Sequence, residues 1–435
     1  MVQALTRCLV DSILCALVAA GLTACTTAPP PLVSPPAPDV RLSPVFDLLR
    51  GETVRDQVAV VFDNTGLAHV LIASTRRKEV HHVVVGPEGV VARELVRSAT
   101  SPDAVSAVFD EHGVLHVLLD CRHWIRQGDA WREGDPPPWE LAGFEPLRCW
   151  FVSGAPQLTW AFVLRGGDVG APGRWDWYIA GGAPAAIAWP WHTQASKLVV
   201  VAPTSDNRGR WFVVDPADNL DAAHAWTLSD DRGEILVLYD ARHGGMSEVN
   251  YPRLARMRPP SDATGTRDAL PGSRRGVMLQ PVKGQALLIG KSGFGQGGLG
   301  NDVAVARDPH SGTALVVQPH DGSRRLCGDG WSAKIPLPLT RFWRPRLAPA
   351  GNDRFHALLI GEASDQWSGK ATAVRYLDFA DGQWSGTVEL GLADVSSFWG
   401  YIWDAVAIGS AGGQQALVVW PMPDRIVGRW VSLRR

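Results

Sequence analysis

Residues 58–73 read VAVVFDNTGLAHVLIA and residues 105–120 read VSAVFDEHGVLHVLLD, so this 435-residue chain contains two copies of a similar 16-residue segment. In each copy an apolar run leads into a turn of the form Asp-x-x-Gly, at Asp63 to Gly66 and at Asp110 to Gly113, and a second apolar run follows. The aspartate side chain caps such a turn, and glycine supplies the positive φ of a tight hairpin. Each copy therefore predicts a β-hairpin.

Looser copies of this hairpin recur along the chain. They cover residues 225–240, 303–318, 347–361 and 405–420, and two further hairpins are expected at 150–164 and 197–214. A glycine turn followed by tryptophan trails the hairpins, in GDAW (128–131), GDGWS (328–332) and DGQWSG (381–386). This pattern favours an outer strand whose indole packs between adjacent sheets.

A hairpin with outer strands, repeated every 40 to 55 residues or so, has the period of a four-stranded propeller blade. We therefore predict an all-β fold, a β-propeller of four-stranded blades. Seven blades are preferred and eight are possible. The C-terminal segment IVGRWVSLRR (426–435) is expected to share its blade with residues 40–55, and 45–51 alone suggests a helical turn. The alternative, two stacked β-sandwiches, does not predict one turn at a fixed offset so many times.

The repeats resemble the sialidase-type or Asp-box propellers, whose box reads roughly Ser-x-Asp-x-Gly-x-x-Trp. Ser229 to Gly233 matches its first half, with Leu236 at the aromatic position, and Ser205 to Trp211 approaches it. This superfamily includes hydrolases, binding modules and structural proteins, so the resemblance implies an architecture and no single activity. A sialidase needs an arginine triad, a Tyr–Glu pair and an Asp acid. None of the five tyrosines has that sequence context, and we assign no catalytic residue.

The N-terminal region differs from the rest of the chain. An apolar run, SILCALVAAGL (12–22), ends in Leu22-Thr23-Ala24-Cys25 and is too short to span a bilayer. LTAC resembles the lipobox of bacterial lipoproteins, which implies cleavage before Cys25 and acylation of that cysteine, including palmitate. Asp11 departs from the pattern, and an ordinary signal peptide is the alternative. Thr26, where an aspartate would imply inner-membrane retention, favours the outer membrane.

These features divide the chain into three parts. Residues 1–24 are predicted to be a lipoprotein signal peptide, 25–40 an acylated cysteine with a proline-rich tether, and 41–435 a single propeller domain. The proline-rich segment TTAPPPLVSPPAPDV favours extended polyproline II.

Three cysteines remain after the signal and the lipid site. In an oxidising compartment Cys121 and Cys149 are the natural disulfide pair, since both are expected in neighbouring blades, and Cys327 is then odd. Three separate thiols are the alternative. No CxxC spacing occurs, so no metal site is expected from them.

Candidate binding residues are few. His69 and His116 share one repeat offset that Leu236 and Leu315 occupy elsewhere, which indicates a packing position rather than a metal ligand. Gly293-x-Gly295-x-x-Gly298 lacks the strand and helix of a dinucleotide site, so no cofactor is expected. The densest aromatic clusters either form a platform for sugar rings or partners or pack between blades. They comprise Trp175, Trp177, Trp189, Trp191, Trp399, Tyr401 and Trp403.

The charge balance excludes one class of partner. Lys+Arg number 42 and Asp+Glu 44, so the net charge of −2 offers no basic face for nucleic acid. We expect a membrane-anchored binding or scaffolding module of the bacterial cell envelope, on its periplasmic or surface side, without enzymatic activity. A carbohydrate-active hydrolase on the same propeller and an accessory subunit of an envelope assembly complex are the alternatives.

Overall fold

The structure is a computed structural model. It describes residues 35–51, 56–74, 78–98, 105–141, 146, 148–155, 157–165, 196–202, 210–214, 219–242, 250–257, 304–318, 322–327, 330–339, 343–360, 372–393, 406–410 and 412–434. The signal peptide, Cys25 and most of the tether lie outside these residues.

Strands account for nearly all regular structure in the described residues. The first half contains β1 Val40–Leu42, β2 Phe46–Arg50, β3 Asp56–Phe62, β4 Ala68–Ser74, β5 Glu79–Gly86, β6 Gly89–Ser98, β7 Val105–Phe109, β8 Leu115–Leu119, β9 Arg122–Gln127, β10 Ala130–Glu133, helix α1 Pro138–Leu141, β11 Arg148–Phe151, β12 Trp160–Arg165, β13 Ser196–Ala202 and β14 Arg210–Val214. The second half contains β15 Asn219–Ser229, β16 Ile235–Arg242, β17 Asn250–Met257, β18 Ala304–Arg307, β19 Ala314–Gln318, β20 Gly322–Cys327, β21 Gly330–Trp331, β22 Trp343–Gly351, β23 Arg354–Ile360, β24 Thr372–Ala380, β25 Gln383–Trp384, β26 Val388–Ala393, β27 Ala407–Ser410, β28 Gln415–Met422 and β29 Arg425–Leu433. Across the described ranges no helix has the length and apolar character to cross a membrane.

The strands form six antiparallel sheets, which do not join into one continuous hydrogen-bonded sheet. We number them I (β3–β6), II (β7–β10), III (β11–β17), IV (β18–β21), V (β22–β26) and VI (β27–β29 with β1 and β2). Every hairpin that the sequence predicts pairs as expected, including those of the degenerate region, β11 with β12 and β13 with β14. The all-β prediction is thus confirmed.

Sheet III is larger than a four-stranded unit. Its first part, β11 to β14, meets its second part, β15 to β17, through a single residue pair between β13 and β15, Ser196 with Leu220. The pairing of β15 with β16 is interrupted between Leu220 and Ala225. Sheet III therefore consists of two strand groups with a narrow junction.

Sheet VI is built from both ends of the chain. The C-terminal strand β29 pairs with β1, Val40 opposite Leu433, and with β2, Phe46 opposite Gly428. This confirms that residues 40–55 and the C-terminal strand belong to one sheet, and it corrects the helical turn suggested for 45–51, which is strand β2. Tertiary pairing with β29 outweighs the local helical pattern there.

The apolar core lies between neighbouring sheets instead of at one centre. Buried side chains of sheets I and II, III and IV, IV and V, V and VI, and VI and I form separate clusters. Sheets II and III meet through aromatic rings, where Phe151 and Trp160 approach the His123 ring edge-on. Each sheet consequently buries its two faces only against its neighbours.

The trailing tryptophans occupy the positions that their pattern predicts. Trp131 on β10 packs between sheets I and II, and Trp331 on β21 packs between sheets III and IV. Trp384 on β25 is buried between sheets IV and V, and its indole N–H donates to Ser323 Oγ at 2.7 Å. The prediction of an indole between adjacent sheets is confirmed for all three.

The last residues of the proline-rich segment are attached to the folded body. Gly386 N donates to Pro36 O at 2.7 Å, and Arg434 N donates to Asp39 O at 2.8 Å. A Cβ at Gly386 would lie 2.6 Å from Pro35 O, so this close approach requires glycine. Residues 35–39, which the sequence assigns to the tether, therefore pack beside sheets V and VI.

Two cysteines join sheets II and III. Cys121, in the turn between β8 and β9, is disulfide-bonded to Cys149 on β11, with their Cα atoms 5.4 Å apart. Cys327 is the last residue of β20 in sheet IV.

Leu48 tests the contribution of the N-terminal strands to sheet VI. Its side chain on β2 is 0% exposed in the cluster between sheets VI and I. We expect Leu48→Ala to lower the free energy of unfolding by about 3 kcal/mol through lost burial and a cavity. Val45→Ala is the matched control, because Val45 is 44% exposed and its truncation should cost less than about 0.5 kcal/mol. Urea unfolding measures both; equal effects would contradict the burial of β2.

Candidate functional site

The turn aspartates are the polar residues that recur from sheet to sheet. In four hairpins the Oδ1 atom of the aspartate accepts backbone N–H groups of its own turn, which fixes the turn conformation. The shortest of these N···Oδ1 distances are 2.9 Å for Asp63 (from Thr65 and Leu67), 2.7 Å for Asp110 (from Val114), 2.8 Å for Asp230 (from Glu234) and 2.9 Å for Asp308 (from His310).

The second carboxylate oxygen, Oδ2, contacts different groups in different sheets. Asp63 and Asp110 direct it at a histidine of their own sheet. Asp230 and Asp308 direct it at the following sheet, where it accepts from Arg307 and from the amide of Asp353. The same turn residue thus stabilises either one hairpin or the contact between two sheets.

In sheet I the histidines form a chain of polar contacts across three strands. His69 Nε2 lies 3.4 Å from Asp63 Oδ2, and His69 Nδ1 lies 2.9 Å from His82 Nε2. His82 Nδ1 lies 2.5 Å from Glu94 Oε1, which also accepts from Arg126 Nε of sheet II at 2.8 Å. Burial lowers the pKa of His82 to about 4, although the hydrogen bond with Glu94 acts in the opposite direction.

Sheet II repeats the arrangement. His116 Nε2 lies 3.2 Å from Asp110 Oδ2, and His116 Nδ1 lies 2.9 Å from His123 Nε2. His123 Nδ1 lies 3.0 Å from the backbone oxygen of Asp135. Burial lowers the pKa of His123, against the effect of this last hydrogen bond. The two imidazoles stack in both sheets, with ring centroids about 5 Å apart.

Sheet V contains a histidine–tyrosine pair in place of the two histidines, without the turn aspartate. His356 Nδ1 lies 2.6 Å from the Tyr376 hydroxyl, and Tyr376 occupies the position of the second histidine, since its strand partner Leu358 lies two residues after His356. The position six residues before the histidine is Ala350 instead of aspartate. His356 Nε2 is buried without a hydrogen-bond partner, which follows from this missing carboxylate.

The sequence-based interpretation of the histidine offset is therefore incomplete. Leu236 and Leu315 are buried there, as a packing position requires, whereas His69 and His116 are buried and also linked to the turn aspartate. The partner histidines do not lie at a fixed spacing in the sequence, because His82 follows His69 by thirteen residues and His123 follows His116 by seven. Strand register is the signal that locates them: each pairs with the residue two places after the first histidine.

A buried arginine connects sheets III and IV. Arg307 Nη2 lies 3.0 Å from Asp230 Oδ2 and 2.7 Å from Glu234 Oε1, and its Nη1 donates to Glu234 O at 2.6 Å. All three side chains are largely buried. Two carboxylates that share one guanidinium in this way are enclosed and hydrogen-bonded to it, so they stabilise a sheet contact and do not face a substrate.

The turn of sheet IV continues this contact to sheet V. Asp308 Oδ2 accepts from Asp353 N at 2.6 Å, and the Asp353 carboxylate accepts from Arg325 Nη2 at 3.1 Å and from the hydroxyl of Ser311. On the solvent side His310 contacts Asp231. The turns of sheets III, IV and V thus form one linked polar surface.

The aromatic candidates of the sequence lie outside the described residues. Trp175, Trp177, Trp189, Trp191, Trp399, Tyr401 and Trp403 all belong to this group. The same is true of Cys25 and of the glycine motif at 293–298. Within the part of the chain that the structure describes, histidine, cysteine and carboxylate side chains do not gather into a three-ligand metal site.

Comparison with known proteins identifies structural neighbours only. No family model and no curated protein matches the chain. The β-propeller domain of Myceliophteria thermophila Cps50 (Swd1) covers 91% of this chain and 100% of its own, at 9% identity and a TM-score of 0.47. The propeller domain of the Trilobed protease from Pyrococcus furiosus, which has an open velcro topology, covers 87% and 95% at 9% identity and a TM-score of 0.43.

A sialidase is also among the neighbours. The Hadza microbial sialidase Hz136 covers 87% of this chain and 66% of its own, at 10% identity and a TM-score of 0.38. The chain is thus an all-β protein with β-propellers among its structural neighbours. Similarities this weak carry no argument about its activity, ligand or partner.

Arg307 provides a test of the contact between sheets III and IV. Arg307→Leu leaves Asp230 and Glu234 buried without their counter-charge, so we expect a loss of about 3–5 kcal/mol in the free energy of unfolding. His310→Ala is the control: the exposed His310–Asp231 contact should contribute less than about 1 kcal/mol. Equal, small losses in denaturant titrations of both variants would show that the buried ion pair is not important for stability.

His356 should make stability depend on pH. Burial lowers its pKa to about 4, below the usual 6.5 of an unfolded chain. The unfolded state therefore binds this proton first, so stability is complete above pH 6.5 and falls as the pH drops to 4, by up to about 3 kcal/mol. Unfolding measured between pH 7.5 and 4.5 should show a smaller decrease for His356→Gln, and identical pH profiles would contradict a buried neutral imidazole.

Proposed function

We propose that this chain is a seven-bladed β-propeller that is lipid-anchored in the bacterial cell envelope, preferentially at the outer membrane. We propose further that it acts there as a binding or scaffolding module for an envelope protein or a carbohydrate. The observation that carries the proposal is the construction of sheet VI from both ends of the chain.

The order of neighbouring strands supports a ring. The first strand of each hairpin group lies beside the first strand of the next, in the order β27, β3, β7, β11, β15, β18, β22 and again β27. A parallel bridge between Ser153 and Leu228 marks the step between the two halves of sheet III. Those halves then count as two blades, and the six sheets supply seven.

The step from the last sheet to the first is a close one. A Cβ on Gly409 of β27 would lie 2.7 Å from Val60 Cγ1 and 2.8 Å from the Phe62 ring, both on β3. Backbone of sheet VI therefore approaches side chains of sheet I directly. A ring built by such contacts exposes its hairpin turns on one face, which is the surface that we propose for binding.

A binding role agrees better with the described side chains than a hydrolase does. Glycoside hydrolysis needs two carboxylates that reach a sugar from solvent. The arginine-flanked carboxylate pair identified above, Asp230 with Glu234, is largely buried and bound to Arg307. These two carboxylates stabilise the contact between sheets III and IV.

The anchor follows from the lipobox resemblance and the position of the tether. Because Pro36 is hydrogen-bonded at Gly386, only the residues before 35 are left to span the distance from Cys25. An extended proline-rich chain covers about 3.1 Å per residue, which gives a spacing of about 30 Å between the membrane and sheet V.

The anchor is tested by replacing the proposed lipid acceptor. Cys25→Ser should release the protein from membranes and abolish labelling by a palmitate analogue. Cys15→Ser, in the segment that we expect to be cleaved, should change neither. An unacylated wild type together with membrane-bound Cys25→Ser would show the proposal of a lipid anchor to be wrong.

The binding role is tested by crosslinking in intact envelopes followed by pull-down. We expect wild type to recover a defined envelope protein or glycan, and Cys25→Ser to recover less of it because it no longer resides at the membrane. Turnover of a sialoside or another glycoside by the purified domain, without a stable partner, would replace the binding proposal by the hydrolase.

A further inference from the structure

We propose that the histidine pairs of sheets I and II are proton-acceptor sites with a fixed direction. At neutral pH the imidazole protons of each pair point away from the turn, so that Nε2 of His69 and of His116 is bare. When the pH falls, the site of sheet I takes up one proton between His69 Nε2 and Asp63.

Sheet II has an acceptor at each end of its histidine pair, the backbone oxygen of Asp135 at His123 Nδ1 and Oδ2 of Asp110 at His116 Nε2. Two neutral imidazoles carry two hydrogens for three contacts, and we assign one of them to His123 Nδ1. In the neutral imidazole Nε2 is then bare and accepts from His116 Nδ1. This leaves no hydrogen for His116 Nε2, which faces Asp110.

Sheet I likewise has an acceptor at each end of its histidine pair, the carboxylate of Glu94, which also accepts from Arg126, and that of Asp63. We assign the two imidazole hydrogens to the contacts of 2.5 Å at Glu94 and 2.9 Å between the rings, so that they point from His69 to His82 to Glu94. His69 Nε2 is left bare toward Asp63.

The distances agree with this assignment in both sheets. The contact at the turn aspartate is the longest of its chain, 3.4 Å at Asp63 and 3.2 Å at Asp110. The other contacts measure 2.5 to 3.0 Å. Two acceptors without a shared hydrogen stay apart, so the long contact is the one that lacks a proton.

The groups around each site allow one additional proton and no second. His69 faces Asp63, His82 and the edge of Phe109, with Glu94 and Arg126 farther away.

His82 faces His69, Glu94 and the Trp131 ring, with Arg126 nearby. His116 faces Asp110 and His123.

His123 faces His116, Asp135, Phe151 and Trp160, with Arg132 acting from a distance. If the second histidine of a pair, His82 or His123, were protonated as well, its Nε2–H would face the Nδ1–H of the first histidine.

The turn carboxylates are charged when this proton arrives. Burial would raise the pKa of Asp63, but its hydrogen bonds with Thr65 and Leu67 bring that pKa below the usual value. The pKa of Asp110 is lowered in the same way by the backbone amides of Val114 and His112. Burial lowers the pKa of His69, against the effect of Asp63, so its proton arrives below pH 6.5.

Asp63→Asn distinguishes the two possible proton directions. Asparagine still caps the turn through Oδ1, and its amide N–H replaces Oδ2 opposite His69 Nε2. If Nε2 is bare, the variant gains a hydrogen bond at pH 7.5, so its melting temperature stays equal or rises by about 1–2 °C. The advantage should diminish as the pH is lowered and His69 of the wild type takes up its proton. At pH 7.5 Asp110→Asn repeats the test in sheet II.

Asp230→Asn is the matched control of opposite sign. Its Oδ2 accepts from Arg307, which can only donate, so an amide there opposes two donors. We expect a melting temperature several degrees lower at pH 7.5 and at lower pH. If Asp63→Asn and Asp110→Asn are destabilised at pH 7.5 like Asp230→Asn, His69 and His116 carry the Nε2 hydrogen and the proposal is wrong.

Nitrogen-15 NMR of the wild-type histidines gives an answer that does not depend on any variant folding. At pH 7.5 we expect the Nδ1–H tautomer for His69, His82, His116 and His123. On acidification His69 should become imidazolium before His82. An Nε2–H tautomer at His69 or His116 at pH 7.5, or titration of His82 before His69, would overturn the assignment.

Discussion

A carboxylate has two oxygens, and the turn aspartates of this protein use them for different bonds. Oδ1 closes the hairpin turn in four sheets, and Oδ2 connects that turn to something outside it. In sheets I and II the connection is to a histidine pair, and in sheets III and IV it is to the next sheet. One residue type thereby links local backbone conformation to tertiary contacts.

Packing places a second constraint on the molecule. The apolar clusters lie between successive sheets, so a sheet without both neighbours would leave one face exposed to water. The first and last strands are therefore subject to the same requirement, and β29 meets it by pairing with β1 and β2. Buried polar groups in these interfaces need partners for the same reason, which explains why Arg307 binds two carboxylates and why the histidines occur in pairs.

Local similarity between copies hides differences in what the copies do. The turn at Asp230 looks like the turn at Asp63, but the following strand carries Leu236 where His69 stands, and the free oxygen turns to Arg307 of another sheet. Ala350 shows the converse, since a histidine and a tyrosine remain in place after the aspartate is lost. Repeats of similar sequence thus make different contacts in different sheets.

The amino-acid sequence by itself determined the strands and turns, because an Asp-x-x-Gly turn between two apolar runs is specified by neighbouring residues. It also indicated the outer-strand tryptophans, the pairing of the chain ends and the Cys121–Cys149 neighbourhood. Only the tertiary structure decided that His82 and His123 are the partners of His69 and His116, that Glu94 meets Arg126, and that Arg307 holds Asp230 and Glu234. These contacts depend on strand register and on which sheets are adjacent, and neither is encoded at a fixed spacing along the chain.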